Sequence, residues 1–131
     1  MIRVLNRQRR LAVDARALET FAQAAFSECL KLRQRKSRRL KELAEISVIV
    51  VSDKRIAEIH RRFMNEPAPT DVITFQHGDI VISAETAKRQ ARQFGTTVVH
   101  ELRLYLVHGL LHLCGFDDKT SAGAAEMRRL Q

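Results

Sequence analysis

Twelve consecutive residues, Val107-His108-Gly109-Leu110-Leu111-His112-Leu113-Cys114-Gly115-Phe116-Asp117-Asp118, carry the side-chain types and spacing that could do chemistry. His108 and His112 are four apart, so on a helix both imidazoles project from one side, about one turn from each other. That spacing suits two ligands of a single divalent ion. Gly115 breaks the helix and lets the chain turn back, which brings Asp117 or Asp118 towards the same ion. Three protein ligands leave a position open for water, whose pKa the ion lowers towards neutrality; this marks a catalytic site, since structural zinc usually has four protein ligands. Cys114 lies two past His112, about 200° round the helix, and so points away from the pair. A histidine pair at this spacing also arises by chance, but two imidazoles embedded in an apolar helix need polar partners, which favours ligation. A metalloprotease of the common helical type places a glutamate directly after the first histidine. That position here is Gly109, which argues against such a protease.

The ligand segment must be positioned by the elements around it. Ile2-Arg3-Val4-Leu5 alternates as a short first strand, and Asp14 can cap a helix over about Ala15 to Leu30. Leu18, Phe21, Ala25 and Cys29 form one stripe of that helix, widened by Ala22 and Phe26. Ile46-Ser47-Val48-Ile49-Val50-Val51 is rich in β-branched residues and reads as a strand buried on both faces. Asp53 is positioned to cap a helix in which Ile56, Ile59 and Phe63 repeat at i, i+3 and i+7, with Pro67 and Pro69 ending it. Thr70 to Phe75 alternates as a strand, and a turn at Gln76-His77-Gly78 leads to a second, Asp79 to Ser83, close enough to pair as a hairpin. Ser83 can cap a helix from Ala84 to about Phe94, with Gly95 as its stop. Thr96 or Thr97 opens the long apolar helix that carries the histidines to Leu113 or Cys114, and Ala122 to Leu130 reads as a last short helix. Four strands interleaved with helices predict a mixed α/β or α+β domain, a small four-stranded sheet packed with helices, spanning residues 1–131 as one unit.

Composition narrows the partner. At 131 residues, folding can bury roughly two-thirds of the unfolded chain's surface. Lys and Arg number 23 against 15 Asp and Glu, a formal net charge of +8. Such a balance in so small a domain favours an anionic partner, of which nucleic acid is the commonest. Residues 31 to 41 concentrate it: Lys31, Arg33, Arg35, Lys36, Arg38, Arg39 and Lys41 are seven cations in eleven positions. They are the candidate phosphate contacts, although a solvated helix end would look the same. No apolar run approaches the roughly 20 residues a membrane span needs, and no leader-like apolar core opens the chain, so a cytoplasmic location is expected. Cys29 and Cys114 sit within apolar patterns and read as buried thiols without a disulfide.

His108-Gly109-Leu110-Leu111-His112-Leu113, followed by Gly115-Phe116-Asp117, resembles the signature of the YbeY family, bacterial endoribonucleases of small-subunit ribosomal RNA maturation and quality control. Pro69-Thr70-Asp71-Val72-Ile73-Thr74-Phe75, then Gly78-Asp79-Ile80-Val81-Ile82-Ser83, resembles the family's second signature in the expected order. Together they cover roughly residues 45 to 118. The resemblance implies a helix with two ligands packed on a small mixed sheet, one bound zinc ion, and a cytoplasmic role on the ribosome. Its implied partners are ribosomal RNA and the small subunit, with ribosomal proteins or assembly factors beside them. It further implies His108, His112 and Asp117 as catalytic residues.

Two departures from the pattern stand out. The family usually supplies a third histidine where this chain has Asp118, so the ligand set becomes His108, His112 and Asp118. A carboxylate is a harder ligand than imidazole, which extends the metal choice from zinc to manganese, nickel or iron. Asp117 matches the family's aspartate and would orient the site or assist proton transfer. Many members also carry an arginine just after the aromatic residue preceding the Pro-Thr motif, where this chain has Met64 after Phe63; Arg61 and Arg62 point elsewhere on the helix.

Other polar residues have plainer readings. Thr70 and Asp71 would approach the site if their strand packs beside the ligand helix, and cap or turn roles suit them equally. His100 is two turns before His108 and reads as a partner of Glu101. His60 and His77 have no second ligand nearby in sequence, and Asp79 reads as an acceptor for backbone N–H groups in its turn. Three functions remain: a metal-dependent endoribonuclease acting on single strands, a non-catalytic RNA-binding assembly factor with a structural metal, and a non-haem iron oxygenase, whose ligand types are the same.

Overall fold

The computed structural model describes residues 1–31, 40–43, 45–65 and 70–116. Along the described residues run β1 (Ile2–Asn6), α1 (Ala15–Cys29), β2 (Ile46–Val51), α2 (Asp53–Met64), β3 (Val72–Phe75), β4 (Asp79–Ser83), α3 (Ala84–Phe94) and α4 (Val98–Leu113). The expected last helix at 122–130 lies outside the described residues, as do Pro67 and Pro69. The strands form one sheet in the order β1-β2-β4-β3. β1, β2 and β4 are parallel, and β3 closes the edge as the antiparallel arm of a hairpin, with Val72 opposite Ile82 and Phe75 opposite Asp79. The mixed α/β class and four-stranded sheet expected from the pattern are what forms.

The helices start where side chains take up orphan backbone donors. Asp14 accepts from Ala17 N, Ser83 from Thr86 N and Thr97 from His100 N. Asp53 does not cap α2. Ser52 does, accepting from Arg55 N at 3.2 Å. The Asp53 carboxylate is drawn instead to α3, where Ser83 Oγ and Thr86 Oγ1 each donate to Oδ1 at 2.7 Å and Arg89 pairs with it. Burial alone would raise this carboxyl, but the hydrogen bonds from Arg89, Ser83 and Thr86, with the Arg89 charge, hold it below its ordinary value. α2 ends on Asn65 in the left-handed region, before either proline.

One sheet face carries most of the core. Val4, Val48, Val50, Ile80 and Ile82 pack there against Leu18 and Ala22 of α1 and Leu102, Leu106 and Leu110 of α4. A smaller cluster, Val51, Ile73 and Val81 with Ile56, fills the other face beneath α2. β2 is thus covered on both sides, as its composition predicts. The stripe predicted on α2 holds for Ile56, fully buried, and fades towards Phe63, which is 61% exposed. Cys29 and Cys114 are buried free thiols, hydrogen-bonded to one another where α1 and α4 end. No described helix is long and apolar enough to cross a membrane.

A close approach seats α4 on the sheet. A Cβ at Gly109 would stand 2.6 Å from Ile80 Cγ2. Only glycine lets the helix press onto β4 at this level, between the two histidines.

Candidate metal and RNA site

Glu101, Tyr105, His108 and His112 are spaced 4, 3 and 4 along α4, which places all four on one side of the helix. The two histidines meet there. Their ring centroids are 4.6 Å apart with planes at 75°, and their Nε2 atoms are 3.0 Å apart. His112 Nδ1 lies 3.1 Å from the Phe116 carbonyl oxygen, to which it donates. Its Nε2 is then the unprotonated nitrogen, turned towards His108. Two nitrogens each about 2.0–2.1 Å from one tetrahedral ion would be roughly 3.3 Å apart, within a few tenths of the separation seen. The pair fits two ligands of one cation, and the carbonyl that fixes the His112 tautomer is the kind of outer partner such ligands have.

The helix end supplies that carbonyl. Gly115 N–H bonds His112 O at 2.9 Å and Phe116 N–H bonds Leu111 O at 3.1 Å, the paired bonds of a Schellman cap. Gly115 adopts φ +98°, open to glycine at little cost. The buried Phe116 ring anchors the turn in the core, and its carbonyl returns to His112. Asp117 and Asp118 lie beyond, outside the described residues. Among the described residues no third His, Cys, Asp or Glu joins the pair.

His100 stays apart, 60% exposed and 4.0 Å from Glu101. Glu101 is buried and accepts from Thr96 Oγ1 at 2.9 Å. Tyr105 is also buried, and its hydroxyl has no hydrogen-bond partner among the described residues. Desolvation, then the nearby Asp71 and Glu101 carboxylates, push its phenol well above the usual range, with Arg89 opposing. Thr74 Oγ1 is a second buried oxygen without a hydrogen-bond partner among the described residues. It faces α4, because Thr74 pairs with Ile80, the residue against Gly109. β3 therefore does pack beside the ligand helix. Asp71 sits at its entrance, accepting from Val72 N at 2.8 Å and from Thr70 Oγ1 at 3.5 Å, and its charge is felt at Tyr105.

Of the basic cluster the structure describes only the ends. Lys31 pairs with Glu28 at 3.0 Å, and Lys41 is exposed. Arg33, Arg35, Lys36, Arg38 and Arg39 lie outside the described residues. The Asp79 carboxylate does not serve its turn; it lies 2.8 Å from His77 Nε2. The spacing of Tyr105 from His108 was a signal for its place in the site. Nothing in the sequence pointed to the Phe116 carbonyl.

The family model of the endoribonuclease YbeY matches residues 3–131. The endoribonuclease YbeY of Moorella thermoacetica is 39% identical over 107 residues, 67% of this chain and 69% of that protein. Those of Anaeromyxobacter sp. and Bacteroides fragilis are 44% and 41% identical over 66% and 60% of this chain. The matched stretches span only 50% and 62% of those two relatives. Among solved structures, TM1509 from Thermotoga maritima superposes with a TM-score of 0.63 at 26% identity, covering 99% of this chain and 86% of that one.

Proposed function

The chain belongs to the YbeY family, and on that premise we propose that it is a metal-dependent endoribonuclease for single-stranded RNA. Its place is in 3′-end maturation of small-subunit ribosomal RNA and in ribosome quality control, in the cytoplasm, with the small subunit and its assembly factors as partners. The observation that carries this reading is the convergence of His108 and His112 Nε2 at 3.0 Å, with Phe116 O holding the His112 tautomer.

In this reading His108, His112 and Asp118 hold one zinc ion, or manganese, nickel or iron in its stead. When bound, the ion supplies Lewis acidity towards a phosphate oxygen and towards the attacking water. His112 keeps its Nδ1 proton on the Phe116 carbonyl, so its Nε2 stays available as a ligand. Asp117 orients the site or takes up a proton. Lys31, Lys41 and the cations between them neutralise the RNA backbone without reading its sequence.

The test incubates precursor small-subunit ribosomal RNA with zinc-loaded protein, metal-stripped protein and the His112→Ala variant. Cleavage by the loaded wild type alone is the expected result. Cleavage retained by His112→Ala would reject the histidine pair as the site. Asp118 and Met64, the two departures from the family pattern, favour a second reading, an RNA-binding assembly factor that does not cut. RNA binding without cleavage in all three samples would move the assignment there.

A further inference from the structure

Three rings and two arginines gather at the end of α2, on the side of the sheet away from the histidine pair. Phe63 is 61% exposed and meets Phe75 edge-on at 5.4 Å. Phe75 stacks with His77 at 5.6 Å, their planes 24° apart. Along β3, Thr74 faces α4, so alternation turns Ile73 and Phe75 to the α2 side, where Ile73 lies in the smaller core cluster. Phe63 and Phe75 therefore flank the edge strand opposite His108 and His112. Phe63 and the neighbouring Met64, 46% exposed, together form an apolar spot at the end of the helix, and contiguous exposed apolar surface of this kind marks interaction sites.

The surroundings say what would cover it. A concavity of about 490 Å³ is lined by Arg55, Glu58, Ile59, Arg61, Arg62 and Phe63. Arg55 is engaged by Glu58 at 3.1 Å, whereas Arg61 and Arg62 have no ion pair among the described residues. The Arg62 guanidinium stands 5.6 Å from the Phe63 ring centroid. An apolar partner has no need of guanidinium groups without an ion pair among the described residues, and an acidic peptide has no need of a bare ring. An unstacked base with its phosphate uses both.

We propose that Phe63, backed by Phe75 and His77, is a stacking platform for a base of single-stranded RNA, with Arg61 and Arg62 on the flanking phosphates; this rests on the RNA-directed reading above. β3 is the edge strand, so a single strand crossing it passes from the platform to the histidine side. A duplex keeps its bases stacked and offers the platform nothing.

The full-length chain is titrated with a labelled single-stranded oligoribonucleotide and with the same sequence as a duplex, at fixed salt. Phe63→Ala weakens single-strand binding roughly 5- to 150-fold, the loss expected for one base–aromatic stack, and leaves duplex binding unchanged at a temperature where the variant is fully folded. The chain contains no tryptophan, so Phe63→Trp provides a private reporter; it retains affinity, and single strands quench its fluorescence. Wild type that binds no single-stranded RNA would overturn the RNA reading and the platform together. Wild-type binding matched by Phe63→Ala, with no quenching in Phe63→Trp, would overturn the platform alone. Equal losses for single strand and duplex would make Phe63 a structural support and also overturn it.

Discussion

Replacing Gly109 with alanine sets two effects of opposite sign against each other. In an exposed helix interior the change stabilises by about 0.8–1 kcal/mol. In α4 the new methyl would stand 2.6 Å from Ile80 Cγ2, 3.0 Å from Cδ1 and 3.1 Å from Cγ1. Cγ2 branches directly from the Ile80 Cβ, so rotation about χ1 exchanges one branch for the other rather than clearing the space. Nor is the strand free to retreat, because Ile80 is fully buried and β4 is paired with β2 on one side and β3 on the other. Overpacking of this kind costs about 1–3 kcal/mol. The balance is a net loss of roughly 0–2 kcal/mol, reached by pushing α4 outward at the level of the histidines; on the proposed reading metal affinity falls with stability.

Urea unfolding of four proteins checks this: wild type, Gly109→Ala, Ile80→Ala and the double variant, with m unchanged across the set. Ile80→Ala alone opens a cavity and costs about 2–5 kcal/mol. In the double variant the added methyl occupies space that Ile80 has left, so the two changes together cost less than their sum, by about 1–3 kcal/mol. A Gly109→Ala protein that is more stable than wild type, combined with strict additivity in the double variant, would refute the close approach.

Asp118→Ala should lower zinc affinity by more than the roughly 10–100-fold that loss of an outer partner costs, and Asp118→His should retain it; a competing chelator reads both, and equal occupancy in wild type and Asp118→Ala removes Asp118 from the site. Neutralising the cations from Lys31 to Lys41 should flatten the plot of log K against log salt by about 0.7 for each single-strand phosphate that is no longer neutralised, whereas an unchanged slope makes the cluster a bystander. The Asp53 carboxyl lies below its ordinary value in the fold, so its contribution is fully present above the unfolded value of about 3.9 and is lost as pH falls through the folded one. The stability gap between wild type and Asp53→Asn should therefore be constant near neutrality and narrow below about pH 4; a gap constant down to pH 3 contradicts the hydrogen-bonded cluster. Tyr105→Phe should leave stability unchanged or raise it, because the hydroxyl removed has no partner among the described residues; a loss beyond about 1 kcal/mol would reveal a partner.

What was legible in the sequence was local. Asp14, Ser83 and Thr97 cap helices because their side chains reach donors two or three residues on, and Gly95 and Gly115 end helices through their own backbones. The histidine pair was legible for the same reason, since one turn of helix fixes it. The place of Asp53 was not legible because its partners, Ser83, Thr86 and Arg89, lie 30 to 36 residues away, and next to it Ser52 serves as the cap. Phe63 continues a valid stripe, but α2 runs off the sheet over edge strand β3, and the ring meets Phe75 instead of a core. The grip of Phe116 O on His112 and the contact of Gly109 with Ile80 both depend on how α4 ends and where it lies, which no periodicity encodes.

The two departures from the family pattern act in the same electrostatic direction. Asp118 adds a negative charge where the pattern has imidazole, and Met64, half-exposed at the end of α2, takes away a positive one. On the proposed reading Asp118 subtracts positive potential from the place where charge develops on the phosphate, whereas Met64 follows Phe63 at the end of α2, on the other side of the sheet from the histidine pair. The chain's net charge of +8 is densest in sequence from Lys31 to Lys41, and Arg61 and Arg62 line the concavity beside Phe63. Cations that hold the backbone equally before and during reaction tighten binding without lowering the barrier. Only a charge that interacts more strongly in the transition state accelerates the step. Net charge therefore accounts for a grip on RNA, and on the proposed reading the residue at 118 bears on how well the chain would cut.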